Sequence, residues 1–163
     1  MPLPEPYNTS PDGRIIRLAR EEDRAEGRVI HVDELDAFPD AVYIGRAVPR
    51  RGLPASPWAN PYRIGRDGDR QTVIARYERE LRRRPELLAA LSALRGRPLA
   101  CWCRRSDQPS TPATACHGDV LLRLLAAHTD ADLRLAAERL RQQSRLLPAS
   151  EPARQAALLE EGA

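Results

Sequence analysis

Apolar residues along this chain fall into short blocks separated by long polar stretches, and the spacing between them changes part-way. Residues 28–32 (Arg-Val-Ile-His-Val) and 41–45 (Ala-Val-Tyr-Ile-Gly) are compact and rich in β-branched side chains, as short buried strands are. Between them, residues 33–40 are polar and end on a Pro-Asp turn signal. From residue 70 the period lengthens. Val73, Ile74, Tyr77 and Leu81 stand at i, i+1, i+4 and i+8 with Arg and Glu opposite, which predicts an amphipathic helix. Pro85 stops that helix and suits the first turn of another, which carries Leu87, Leu88, Leu91 and Leu94 as far as a capping Gly96. A third strand is predicted over 98–103, then a polar loop over 104–115. A helix over about 118–128 buries Val120, Leu121, Leu124 and Leu125, and another runs over 130–146 with Thr129 as its N-cap.

The order β-β-loop-α-α-β-loop-α-α predicts an α/β fold, a small sheet of three to four strands flanked by helices in a single domain over 27–147. Residues 1–26 hold four prolines and a mixed-charge run, and are expected to form a loose arm. The Ala/Glu-rich residues 148–163 are expected to be a frayed tail. A length of 163 residues suits one domain of this kind. No stretch approaches the ~20 uncharged apolar residues of a membrane span. The opening MPLPEPYNTSPDGR lacks the basic and apolar regions of a secretory signal, so a cytoplasmic location is expected.

Charge adds little. There are 26 basic residues against 23 acidic ones, and every one of the 26 is arginine. A chain rich in Ala, Arg, Pro and Leu reports a GC-rich genome most simply, whereas a phosphate-binding surface would be expected to use lysine as well. The balance permits a nucleic-acid partner without favouring one.

The three cysteines lie together in CWCRRSDQPSTPATACHGD, residues 101–119. With no secretory signal, such a cluster reads as metal ligands or reactive thiols before it reads as a disulfide. Cys101 and Cys103, two apart on a strand, project from one face with Trp102 on the other. If the loop folds back, Cys116 and His117 join them in a Cys3His set suited to zinc, with Gly118 supplying the turned backbone. An iron–sulfur cluster or Cu(I) suits thiolates too. Two other readings use the same residues. Cys116 before a helix can be a nucleophile, with His117 as base or acid and Asp119 orienting it. The amide groups of His117, Gly118 and Asp119 can also form an anion site. The plain alternative is that the cysteines are core residues and Asp119 an ordinary first-turn acid.

The loop over 46–69 has four prolines and three glycines yet carries Trp58 and Tyr62. Loops this long are functional or disordered, and aromatic anchors favour function. Trp58 and Tyr62 can wall a groove for a planar ligand beside Asn60, with Arg46 or Arg63 meeting an anion; equally, both rings can simply pin the loop to the core.

Tyr43-Ile-Gly-Arg46, Trp58-Ala-Asn-Pro-Tyr62, the helix opening at Arg70 and Cys101-Trp-Cys103 with Cys116-His-Gly-Asp119 occur in an order that resembles the DUF4326 family, over about residues 41–126. The resemblance implies a small α/β domain with a Cys/His cluster and brings no established activity. The leading expectation is therefore a zinc-binding domain with a loop-built pocket for an anionic, nucleotide-like small molecule. A hydrolase or group transferase would use Asp119 or a metal-bound water as base. The competing classes are a nucleic-acid-binding or scaffold module with a structural metal, and a cysteine-nucleophile enzyme acting through Cys116.

Overall fold

The computed structural model describes residues 27–146 in full, together with the backbone of two strands nearer the amino terminus. Those two, β1 (Tyr7–Thr9) and β2 (Ile15–Arg17), pair antiparallel as a hairpin. The remainder of the expected amino-terminal arm and the expected tail over 148–163 lie outside the described residues.

The domain is built on a separate three-stranded sheet of β3 (Val29–His31), β4 (Val42–Tyr43) and β5 (Leu99–Cys101). Its order is β3-β5-β4 and both pairings are parallel, so β5 is central although it comes last in sequence. The strands are shorter than the predicted 28–32, 41–45 and 98–103. After β3 the chain enters a 3-10 turn, Val32–Ala37, where His31 Nδ1 caps Asp33 and Glu34 reaches back to the His31 amide at 2.6 Å. After β5 it bends sharply, so Cys103 lies beyond the strand rather than on it.

The helices follow the predicted periodicity closely: α1 (Arg70–Leu81), α2 (Pro85–Ala90, continuing as a 3-10 turn over Leu91–Leu94), α3 (His117–Ala127) and α4 (Asp130–Leu146). Asp69 caps α1 through the Thr72 amide. Thr129 caps α4, its hydroxyl accepting from the Asp132 amide while Asp132 accepts from the Thr129 amide.

The pleat of the sheet sorts the core into two parts. Val29, Leu99 and Cys101 join the helical layer, where Leu81, Leu91, Val120, Leu121 and Leu124 are buried. Ile30 and Ala100 face the other way, onto Ala37 and Phe38 of the turn and its exit. Gly118 lies where α3 comes close against Val29 and Ile44. It does not adopt a positive φ, so the left-handed freedom read from sequence is not its role. What matters is its missing side chain, since a Cβ there would sit 2.8 Å from Val29 Cγ2 and 3.0 Å from Ile44 Cδ1. Gly118→Ala is expected to destabilise the domain by about 1–3 kcal/mol through overpacking. Urea unfolding of the variant beside the parent measures this, and an unchanged midpoint would contradict it.

Candidate metal centre and adjoining cavity

The three parallel strands end together, and the residues leaving β5 meet those entering α3 at that carboxyl edge. Cys101 is the last residue of β5 and points into the helical core, where it is fully buried. The bend after it turns the Cys103 amide onto the Cys101 sulfur at 3.3 Å. On the other side of the 104–115 spacer, Cys116 is the N-cap of α3 and is also fully buried, its sulfur accepting from the Gly118 amide at 3.2 Å. The Cys101 and Cys116 sulfurs are 3.0 Å apart, and all three cysteine sulfurs lie within 4.8 Å of one another. These three sulfurs can therefore share one metal ion, and amide N–H groups already aimed at two of them favour thiolate charge.

His117 stands against the same cluster. Its Nε2 lies 2.9 Å from the carbonyl oxygen of Ile44. A carbonyl only accepts, so Nε2 carries a proton and Nδ1 is the nitrogen turned toward the sulfurs. Nδ1 is 3.7 Å from the Cys116 sulfur and 4.0 Å from that of Cys103. The Tyr77 ring meets the imidazole at a right angle, 5.3 Å between centroids, and the Tyr77 hydroxyl is anchored on the Trp58 carbonyl.

The thiols do not titrate alike. Hydrogen bonding from Cys101 and Cys116 holds Cys103 well below the ordinary thiol range. The same contacts with Cys103, together with burial, push Cys101 up to about 12, and contacts with both partners push Cys116 higher still. Three thiols this close oppose one another's ionisation, an opposition that a cation among them relieves.

The spacer is held by carboxylates. Asp119 takes two hydrogen bonds from the Arg104 guanidinium, at 2.5 and 2.6 Å, and further bonds from the Cys116 amide and the Ser110 hydroxyl. Glu34 receives the Ser106 amide and hydroxyl, tying the spacer to the turn after β3. Burial alone would raise the Asp119 pKa, but the Arg104 pair and the two other donors outweigh it and hold the carboxyl below its usual range.

Several sequence expectations change here. Asp119, expected as a base or a first-turn acid, sits as the ion-pair partner of Arg104, with its oxygens also accepting from Ser110 and the Cys116 amide. His117, expected as acid, base or ligand, has one ring nitrogen on Ile44 and turns the other to the sulfurs. Cys116 is not an accessible nucleophile; it is fully buried and its thiol is pushed up. Of the three amides at the start of α3, two are already taken, that of Gly118 by the Cys116 sulfur and that of Asp119 by the Cys116 carbonyl.

A cavity of about 560 Å³ opens beside the cluster, with Cys101, Cys103 and His117 in its wall. Arg46, Asn60 and Tyr62 line it, together with Arg63 and Arg70. Asn60 organises the loop: its Nδ2 donates to the Val73 carbonyl and its Oδ1 accepts the Tyr62 amide. Arg46 bonds the Asn60 and Tyr62 carbonyls, and Tyr62 bonds Glu80. Trp58 departs from expectation. It lies outside the cavity lining and is buried in the core, where it pins the loop. Trp102, expected on the opposite side of the strand, lines the cavity instead, because the chain bends directly after Cys101. Arg104 is the residue that sequence reasoning missed, since a contact with Asp119 fifteen positions away has no local periodicity to announce it.

The family model DUF4326, described as a domain of unknown function, matches residues 28–127. The chain belongs to that family. The DUF4326 match takes in all three strands of the parallel sheet, the cysteine cluster and the cavity, and ends with α3. No curated protein and no solved structure matches the chain. No helix among the described residues is long and apolar enough to cross a membrane.

Proposed function

We propose that this DUF4326 domain holds a zinc ion on Cys101, Cys103, Cys116 and His117, and that the metal centre braces one wall of a pocket for an anionic small molecule. The observation that carries the reading is the gathering of three cysteine sulfurs within 4.8 Å of one another; the orientation of His117 supports it as the fourth ligand. The Ile44 carbonyl commits Nε2 as donor, as outer partners of metal-bound histidines do, leaving Nδ1 toward the sulfurs. Its 3.7 and 4.0 Å separations approach the edge of about 3.6 Å that bonds of ~2.3 and ~2.1 Å give in a tetrahedron. The Cys101–Cys116 pair at 3.0 Å would part to about 3.8 Å on the same geometry.

Four protein ligands close the coordination shell, so the metal in this reading is structural rather than a source of activated water. Chemistry, where it occurs, belongs to the cavity. Three arginines and no carboxylate line that cavity, which supports an anionic ligand. A continuous nucleic-acid-binding face has less support, because Arg51, Arg66, Arg82, Arg84, Arg95 and Arg123 are each paired with a carboxylate.

Metal analysis of protein purified without added zinc tests the centre. About one zinc per chain is expected, and Co²⁺ exchanged into the site should give the visible bands of tetrahedral thiolate coordination. Parent protein that is folded and metal-free, and that takes up neither ion, would overturn the reading.

A further inference from the structure

We infer that the cavity takes a nucleoside phosphate, with the base against Trp102 and the phosphates at Arg63 and Arg70; this rests on the anionic-ligand reading above and names its chemical class. Trp102 is 46% exposed, yet it is not a loose surface ring. Its indole N–H donates to the Tyr43 hydroxyl at 3.1 Å, and that hydroxyl donates to the Arg46 carbonyl at 2.5 Å. The His31 ring meets it at a right angle, and the Arg51 guanidinium lies 5.1 Å from its centroid, itself held by Asp33. A large aromatic ring fixed in orientation and about half exposed at a cavity wall offers surface on which a planar group can stack. Ile64, 55% exposed, lines the same cavity and adds apolar surface.

The charged groups supply the other half. Arg46 already spends its Nε and one terminal nitrogen on the loop carbonyls. Arg70 gives one nitrogen to the Ala115 carbonyl and has no carboxylate partner among the described residues. Arg63 has neither a carboxylate nor a carbonyl on its guanidinium among the described residues; its backbone amide and carbonyl are engaged, both by Asp67. Two planar guanidinium groups with free donors suit phosphate oxygens. An inorganic anion would leave Trp102 uncovered, and an uncharged aromatic would leave the arginines unmatched. A base joined to phosphates answers both, and a volume of about 560 Å³ lies within the range of small-molecule sites. The cavity also sits beyond the carboxyl ends of β4 and β5, where open parallel sheets bind their ligands.

Calorimetric titration of the full chain with ADP, inorganic pyrophosphate and adenosine tests this. ADP is expected to bind on the order of tenfold tighter than pyrophosphate, the margin a stacked base supplies. Trp102→Ala should reduce ADP affinity to that of pyrophosphate and leave pyrophosphate unchanged, while Trp102→Phe retains most of the margin. Arg63→Ala should weaken ADP and pyrophosphate alike. Pyrophosphate binding as tightly as ADP would overturn the nucleoside inference and leave the anion reading standing. Adenosine binding as tightly as ADP, or no binding by any of the three, would overturn both. A single-stranded oligonucleotide held more tightly than ADP would overturn the small-molecule inference. Zinc content and melting temperature are measured on each variant. If Trp102→Ala does not fold, the parent's ADP-to-pyrophosphate ratio and Trp102→Phe decide the question.

Discussion

Cys116→Ser is expected to purify with less than about a tenth of the parent's zinc and to melt about 8–16 °C lower. A site saturated at about a thousand times its Kd contributes about 4 kcal/mol, and a domain of this size loses about 2–4 °C per kcal/mol. Serine is a poor zinc ligand, and at this position it also replaces a sulfur that caps α3 through the Gly118 amide. The two effects separate with a chelator. Chelated parent should fall nearly to the variant's melting temperature, and the variant itself should not respond. If the cysteines were only core residues, chelation would leave the parent unmoved and the substitution would cost on the order of 1 kcal/mol. Differential scanning calorimetry with and without chelator gives both numbers.

Arg104→Ala is expected to cost about 2–3 kcal/mol at neutral pH. Arg104 is only 8% exposed, and its loss leaves the Asp119 carboxylate partly buried with two donors in place of four. Breaking a fully buried pair costs about 3–5 kcal/mol, and the partial exposure of Asp119 reduces that. The pH dependence has a definite sign. Asp119 titrates lower in the fold than its reference value of 3.8, so its contribution is complete above that pH and is lost as pH falls through the folded value. The difference between parent and variant should therefore be full at pH 7 and shrink below about pH 4. Asp33, Asp67, Asp69 and Asp132 are also held low, but they are common to both proteins and cancel in the comparison. Urea melts at pH 7 and pH 3 measure it. An equal gap at both would show that Arg104 acts through packing alone.

The helices were legible because their signals are local. The stripe of Val73, Tyr77 and Leu81, the proline at the start of α2 and the Thr129 cap each act within a few residues, and all appear where the pattern placed them. The convergence of the cysteines was legible too, from their composition and the loop between them. What escaped was set by contacts distant in sequence. Strand lengths depend on where partners stop pairing, so β4 shrinks to two residues. The direction of Trp102 depends on the bend after β5, and its holding partner, Tyr43, lies 59 positions away. Trp58 was equally compatible with groove or core until the Tyr77 hydroxyl on its carbonyl and the surrounding leucines placed it inside. The Arg104 that pairs with Asp119 lies fifteen positions away, beyond the reach of any local pattern.

The late arrival of β5 governs how the domain can assemble. Both outer strands, at residues 29–31 and 42–43, hydrogen-bond to residues 99–101 and not to each other. A nascent chain shorter than about a hundred residues thus carries two strands with no backbone partner, and closing the sheet means joining segments some sixty to seventy positions apart. Synthesis must run nearly to α3 before the sheet can form. Amino-terminal fragments ending before β5 cannot serve as miniature versions of this protein.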